Sequence, residues 1–156
     1  MNDPEIAIRQ AELILHLFEL RREAVMRAAR SYIGGEFMPR SSEEFASLVV
    51  AGDQHSSYIL QVYGYWDMVA AFVLSGALDE SLVYNTCQEM YFQFAKIQPH
   101  LAEFRRQMNM PEFLNNTQSV IEGSERGKNR LTAMKSNLAA IEKNRAAIPK
   151  PQEVSA

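Results

Sequence analysis

The most apolar stretch of the chain runs from Gln54 to Gly76 and lies between Asp53 and Asp79. It contains one formally charged side chain, Asp67. A helix this apolar cannot expose most of its surface to water, so the pattern predicts the central helix of a helical domain. A lone charge in such a helix is costly to bury, so Asp67 is expected to have a partner.

Apolar periodicity and capping residues predict an all-α, up-and-down bundle of four main helices, a short helix and a C-terminal helix. The first helix is expected from Pro4 to about Ile33, because an acceptor before a proline is a typical helix start. A capping box at residues 41–44 predicts the short helix. A further helix is expected over residues 80–97, with a break or kink at Pro99.

The C-terminal segment carries a short heptad-like pattern. Its apolar residues at three-and-four spacing include Leu131, Met134, Leu138 and Ile141. Residues 1–111 are therefore predicted to form the bundle core, and residues 112–148 a helical segment that packs on the bundle or on a second subunit. Residues 149–156 are expected to form a flexible tail. The four apolar residues are the predicted oligomer contact.

Composition and charge narrow the class of protein. Hydrophobic residues make up 47% of the 156 residues and charged residues 22%, as in ordinary globular proteins. The net charge of -3 argues against nucleic-acid binding. The single cysteine, Cys87, cannot form an intrachain disulfide, which favours a reducing compartment. No apolar run is long enough to span a membrane, so we expect a cytoplasmic protein without membrane contact.

Two arginines are candidate partners for Asp67. Arg21 and Arg22 lie outside the polar face of the predicted first helix and point toward its apolar side. Neighbouring helices of a bundle lie side by side, and an arginine can donate two parallel hydrogen bonds to a carboxylate. The sequence therefore predicts a buried ion pair between Asp67 and Arg21 or Arg22.

Other polar and aromatic groups admit two interpretations each. The acidic and histidine stripe of the first helix could bind a metal, but a solvated face explains it better. Its members are Glu12, His16, Glu19 and Glu23. Tyr58, Tyr65 and Trp66 could line a ligand pocket, although aromatic residues at helical spacing more often belong to a core. No catalytic motif is present, so no catalytic residue, metal or cofactor is expected.

The segment from Tyr65-Trp66-Asp67 through the Gly76–Asp79 turn to Tyr84 resembles small bacterial all-helical proteins of unknown function. These proteins share an aromatic-acidic pair in one helix, followed by a Gly-x-Leu-Asp turn and an aliphatic-aromatic helix start. The resemblance implies a helical hairpin and carries no activity.

The sequence thus favours a non-enzymatic interaction or regulatory module that self-associates as a dimer and has an unknown protein partner. The rival interpretation is a small-molecule or metal-binding protein, or an enzyme, with its site around Asp67 and the nearby aromatic residues.

Overall fold

The protein is described here by a computed structural model, which covers residues 3–148. Within those residues the chain forms eight α-helices and no strand, so the predicted all-α class is confirmed. The helices are α1 Pro4–Leu20, α2 Ala24–Gly35, α3 Ser42–Val50, α4 Gln54–Leu74, α5 Glu80–Thr86, α6 Gln88–Gln107, α7 Asn115–Glu122 and α8 Glu125–Ala147. The tail predicted at residues 149–156 lies outside the described residues.

The apolar helix α4 occupies the centre, as its sequence predicts. It packs against α2, α3, α6 and α7. Helix α6 also packs against α3 and α8. Side chains along one broad face of α4 are almost completely buried, among them Ile59, Trp66 and Val69. None of the helices in the described part of the chain combines the length and hydrophobicity that crossing a bilayer requires.

Several helix starts follow from local side chains. The carboxylate of Asp3 accepts a hydrogen bond from the amide of Glu5, and Asp53 caps α4 in the same way through Ser56. The Ser41 hydroxyl accepts from the amide of Glu44. Each side chain satisfies an amide that the first turn of its helix leaves without a partner.

The predicted first helix is in fact two helices. It ends at Leu20, and α2 begins after Glu23, whose carboxylate accepts from the amide of Met26 at 3.0 Å. The helix predicted over residues 80–97 is also divided, at Cys87, where the backbone leaves the helical region. The apolar periodicity continues across both breaks, so it could not reveal them.

Of the break or kink predicted at Pro99, the break does not occur. Helix α6 runs through this proline from Gln88 to Gln107. Phe94 and Ile97 before the proline and Leu101 and Phe104 after it are almost completely buried. The burial of all four side chains on one face offsets the hydrogen bond that proline removes from the helix.

Candidate functional site

The carboxylate of Asp67 caps a helix other than its own. It accepts hydrogen bonds from the Thr117 amide at 2.9 Å, the Thr117 hydroxyl at 3.0 Å and the Asn116 side-chain amide at 2.9 Å. Both residues that supply these three donors lie in the first turn of α7. The N-cap position of α7 is Leu114, a left-handed residue at φ 57° without a side-chain acceptor. Asp67 supplies the acceptor, and its charge favours the helix N-terminus.

The predicted pair of Asp67 with Arg21 or Arg22 is therefore corrected. Arg21 does reach α4, but its guanidinium lies 5.2 Å from the centre of the Trp66 ring. Trp66 and Asp67 are neighbours in sequence and point about 100° apart around the helix. Arg22 is exposed. The interpretation failed because the partners of Asp67 are one backbone amide and two neutral side chains about 50 positions away in sequence, and none of them carries a charge that would mark it as a partner.

Arg21 belongs to a second polar cluster at the start of α6. Its guanidinium donates to the carboxylate of Glu89, and Arg30 from α2 donates to the same carboxylate at 2.6 Å through Nη2 and 3.0 Å through Nε. The Glu89 side chain is 18% exposed and that of Arg21 11%. The hydrogen bonds that Arg30 donates to the Glu89 carboxylate raise the pKa of Arg30 above its ordinary value. The cluster joins α1, α2 and α6.

The three aromatic residues of the predicted ligand pocket do not form one site. Trp66 is buried in the core at 2% exposure. The Tyr65 hydroxyl donates to the Leu17 carbonyl at 2.6 Å, and burial raises the pKa of Tyr65 well above its ordinary value. Tyr58 lies about two turns away, beside Tyr32. These contacts anchor α1 and α2 to the central helix.

The acidic stripe of α1 is exposed, as expected of a solvated face. The His16 ring lies 3.3 Å from a carboxylate oxygen of Glu19, and both side chains are more than 70% exposed. Within residues 3–148, no three His, Cys, Asp or Glu side chains come together in a group that could hold a metal ion. Cys87 is a buried free thiol whose pKa is raised by burial.

The predicted oligomer contact is mostly used inside the bundle. Leu131 and Leu138 are each 6% exposed, and Met134 packs against the same core. These side chains face the bundle because α8 lies along α6 and α7. Only Ile141 of the four is exposed, at 37%. The chain therefore uses Leu131 and Leu138, together with Met134, inside its own bundle rather than offering them to a second copy.

A different apolar surface is open to solvent on α1. Ile8, Ala11, Leu15 and Phe18 follow three-four-three spacing and are all exposed, with Ile8 at 60% and Leu15 at 64%. We call these four residues the α1 face. The bundle uses another side of the helix, where Ile14 and Leu17 are buried.

A stripe of small residues is open to solvent on α8. Its members recur at four-three-four-three spacing and are all exposed. They are Ala133, Asn137, Ala140, Asn144 and Ala147, here called the α8 stripe. Beyond Leu138 every described residue of the chain is exposed, so this end of α8 leaves its whole circumference available for contact.

The two surfaces differ in charge. Helix α1 carries three glutamates and one arginine, a net charge of -2, whereas α8 carries six basic and two acidic residues, a net charge of +4. Glu12 and Glu19 border the α1 face, and Lys143 borders the α8 stripe. Charged residues of opposite sign thus flank the two open helical surfaces.

Comparison with family models gives a match over residues 6–124, to a family described as Domain of unknown function (DUF4760). The chain belongs to this family. The part matched by DUF4760 includes the Trp66-Asp67 pair, the Glu89 cluster and the helix α7 that Asp67 caps, and it ends just before α8 begins. No curated protein and no solved structure matches the chain.

Proposed function

We propose that this chain is a non-enzymatic helical interaction module that self-associates, with the α1 face of one copy packed on the α8 stripe of a second copy. The observation that carries the proposal is the α1 face. Ile8 and Leu15 together expose more than half of their side-chain surface in a line along one helix. Exposed apolar side chains in such a line are typical of contact surfaces between helices.

Shape favours a second copy as the occupant. The α1 face presents bulky side chains at Ile8, Leu15 and Phe18, and the α8 stripe presents small ones. Large residues on one helix fit between small residues on the other, which lets two helices approach closely. Both surfaces are present in every copy, so a two-fold axis would bury two identical contacts and close the assembly as a dimer.

Charge favours the same occupant. Pairing of two α1 faces in antiparallel order would bring the glutamates at positions 12 and 19 of one copy near those of the other, and like charges repel. Pairing of the α1 face with α8 instead brings Glu12 and Glu19 toward a helix of net charge +4. Complementary charge sets the choice of partner and increases the association rate.

Four substitutions test the proposal by their effect on molar mass in solution. Leu15→Glu and Ala140→Glu introduce a charge into the α1 face and the α8 stripe, respectively, and each should raise the dissociation constant at least tenfold, or about 1.4 kcal/mol. Val50→Glu changes a residue that is 59% exposed on α3, and Ala139→Glu changes another side of α8. These two matched controls should remain dimeric.

A monomeric parent chain would refute the proposal. Dimers that survive both Leu15→Glu and Ala140→Glu would refute the assignment of the surfaces. Circular dichroism of each variant should show unchanged helix content, because all four side chains point into solvent.

A further inference from the structure

A groove of about 660 Å³ lies between the connector after α2, the middle of α6 and the exposed end of α8. Apolar side chains such as Met38, Pro99 and Leu138 contribute part of its wall. Its volume is within the range of small-molecule sites, which are mostly apolar with a few placed polar groups. The α8 stripe faces another side of the helix, and Lys143 lies between the stripe and the groove.

Lys96 is the unusual residue of this groove. It lines the groove, yet only 4% of its surface is exposed. Its ammonium donates to the Ile33 carbonyl in the last turn of α2, and this bond uses one of three donors. No carboxylate lies within 4.0 Å of it among the described residues. A buried ammonium without a counterion is costly.

Most of the other charges around the groove have the same sign as Lys96. Arg40, Lys135 and Lys143 line it together with His100, and the one acidic residue of the wall is Glu142. Lys135 donates to the Gln98 side chain, and the His100 ring lies 3.1 Å from the Pro39 carbonyl. Burial and the nearby charge of Arg145 lower the pKa of Lys96 to about 8.

We infer that this groove is a binding site for a small phosphate-bearing molecule, with Lys96 at its inner wall and Arg40 and Lys143 at its rim. Four cationic side chains and one carboxylate line the groove. This surplus of positive charge suits a doubly charged phosphate ligand better than a ligand with a singly charged carboxylate. The apolar wall would hold an organic group attached to the phosphate. A bound phosphate would supply the counterion that the Lys96 ammonium lacks, in a setting where charge-assisted hydrogen bonds are strong.

The test uses the full chain and three probes: phenyl phosphate, inorganic phosphate and benzoate. Protein labelled with ¹³C-lysine is titrated with each probe while sodium chloride keeps the ionic strength constant. The Lys96 ε-methylene signal is identified by its loss in Lys96→Met. Phenyl phosphate should move this signal in a saturable way. Equal shifts with benzoate would overturn the phosphate assignment, and equal shifts with chloride alone would overturn the site.

Variants at the rim keep the test decisive even if Lys96→Met does not fold. Arg40 and Lys143 are exposed, so Arg40→Ala and Lys143→Ala should fold normally and weaken phenyl phosphate binding at least threefold each. Lys128→Ala, which removes an exposed lysine paired with Glu125, should leave binding unchanged. Equal binding by Arg40→Ala, Lys143→Ala and the parent chain would overturn the inference.

Discussion

Asp67 in α4 accepts two hydrogen bonds from Thr117 in the first turn of α7, one from the amide at 2.9 Å and one from the hydroxyl at 3.0 Å. The contact connects residues that are 50 positions apart in sequence. It gives α7 the cap that its own N-cap position, Leu114, cannot provide. Asp67, the acidic residue of the most apolar helix, thus fixes the position at which α7 begins.

Asp67→Ala should destabilise the protein by about 2 kcal/mol, because it removes a helix cap and leaves the Thr117 amide unpaired. Chemical denaturation measures this loss. In double-mutant cycles, Asp67→Ala should be coupled to Thr117→Val and additive with Arg21→Ala. Strong coupling between Asp67→Ala and Arg21→Ala would instead support the ion pair that the sequence predicts.

Glu89→Ala should cost about 3 kcal/mol, since it leaves the Arg21 and Arg30 guanidinium groups facing each other without a carboxylate. Glu103→Ala is the matched control, because Glu103 pairs with Arg106 at an exposed site on the same helix. That change should cost much less than Glu89→Ala, because solvent screens an exposed ion pair. Equal losses in the two variants, measured by urea denaturation, would show that the Glu89 cluster has no special role.

Gly127→Ala should destabilise the protein although alanine favours helices. A Cβ atom there would lie 2.1 Å from the Ile121 carbonyl oxygen, so α8 would have to move away from α7. We expect a loss of about 1–3 kcal/mol. Gly64→Ala is the control, since nothing lies within 4 Å of its added Cβ, and it should be neutral or stabilising. Thermal unfolding measures the stability of both variants. If Gly127→Ala were as stable as Gly64→Ala, the close approach of Gly127 to the Ile121 carbonyl would be contradicted.

Lys96 should make stability depend on pH in the alkaline range. Its pKa in the folded protein is about 8, against an ordinary value of 10.5. Above pH 8 the unfolded chain therefore binds more protons, and the lysine contribution to the free energy of unfolding rises with pH. From pH 8 to 9.5 the rise should be about 1.5 kcal/mol.

The thiol of Cys87 acts in the opposite direction over this range, because its pKa is raised in the folded protein. The quantity to measure is therefore the difference in unfolding free energy between the parent chain and Lys96→Met. A difference that stays constant from pH 8 to 9.5 would show that Lys96 titrates normally.

The sequence was sufficient for the fold class and for the central position of α4, because both follow from apolar periodicity. It also located the helix start at Pro4 and the capping box at residues 41–44, where the signal is local. It missed the breaks after Leu20 and at Cys87, since the apolar pattern does not change there.

The sites were harder to predict than the helices. The isolated charge of Asp67 correctly indicated the need for a partner, but that partner is a helix start distant in sequence. The three-and-four spacing of apolar residues in α8 does not extend back to Ser124 and Gly127. Ser124 is the helix cap, and Gly127 is the point of close contact with Ile121. Which apolar faces stay open to solvent depends on tertiary packing, so the sequence could not show that Leu131 and Leu138 are buried within the chain.

The molar mass of the full chain in solution tests the central claim most directly. Light scattering after size exclusion, over a wide range of protein concentration, should give twice the chain mass of 17.7 kDa for the parent. The dimer should weaken in high salt, because screening reduces the attraction between α1 and α8. Leu15→Glu should give the mass of one chain. A parent that has the mass of one chain at every concentration would contradict the account.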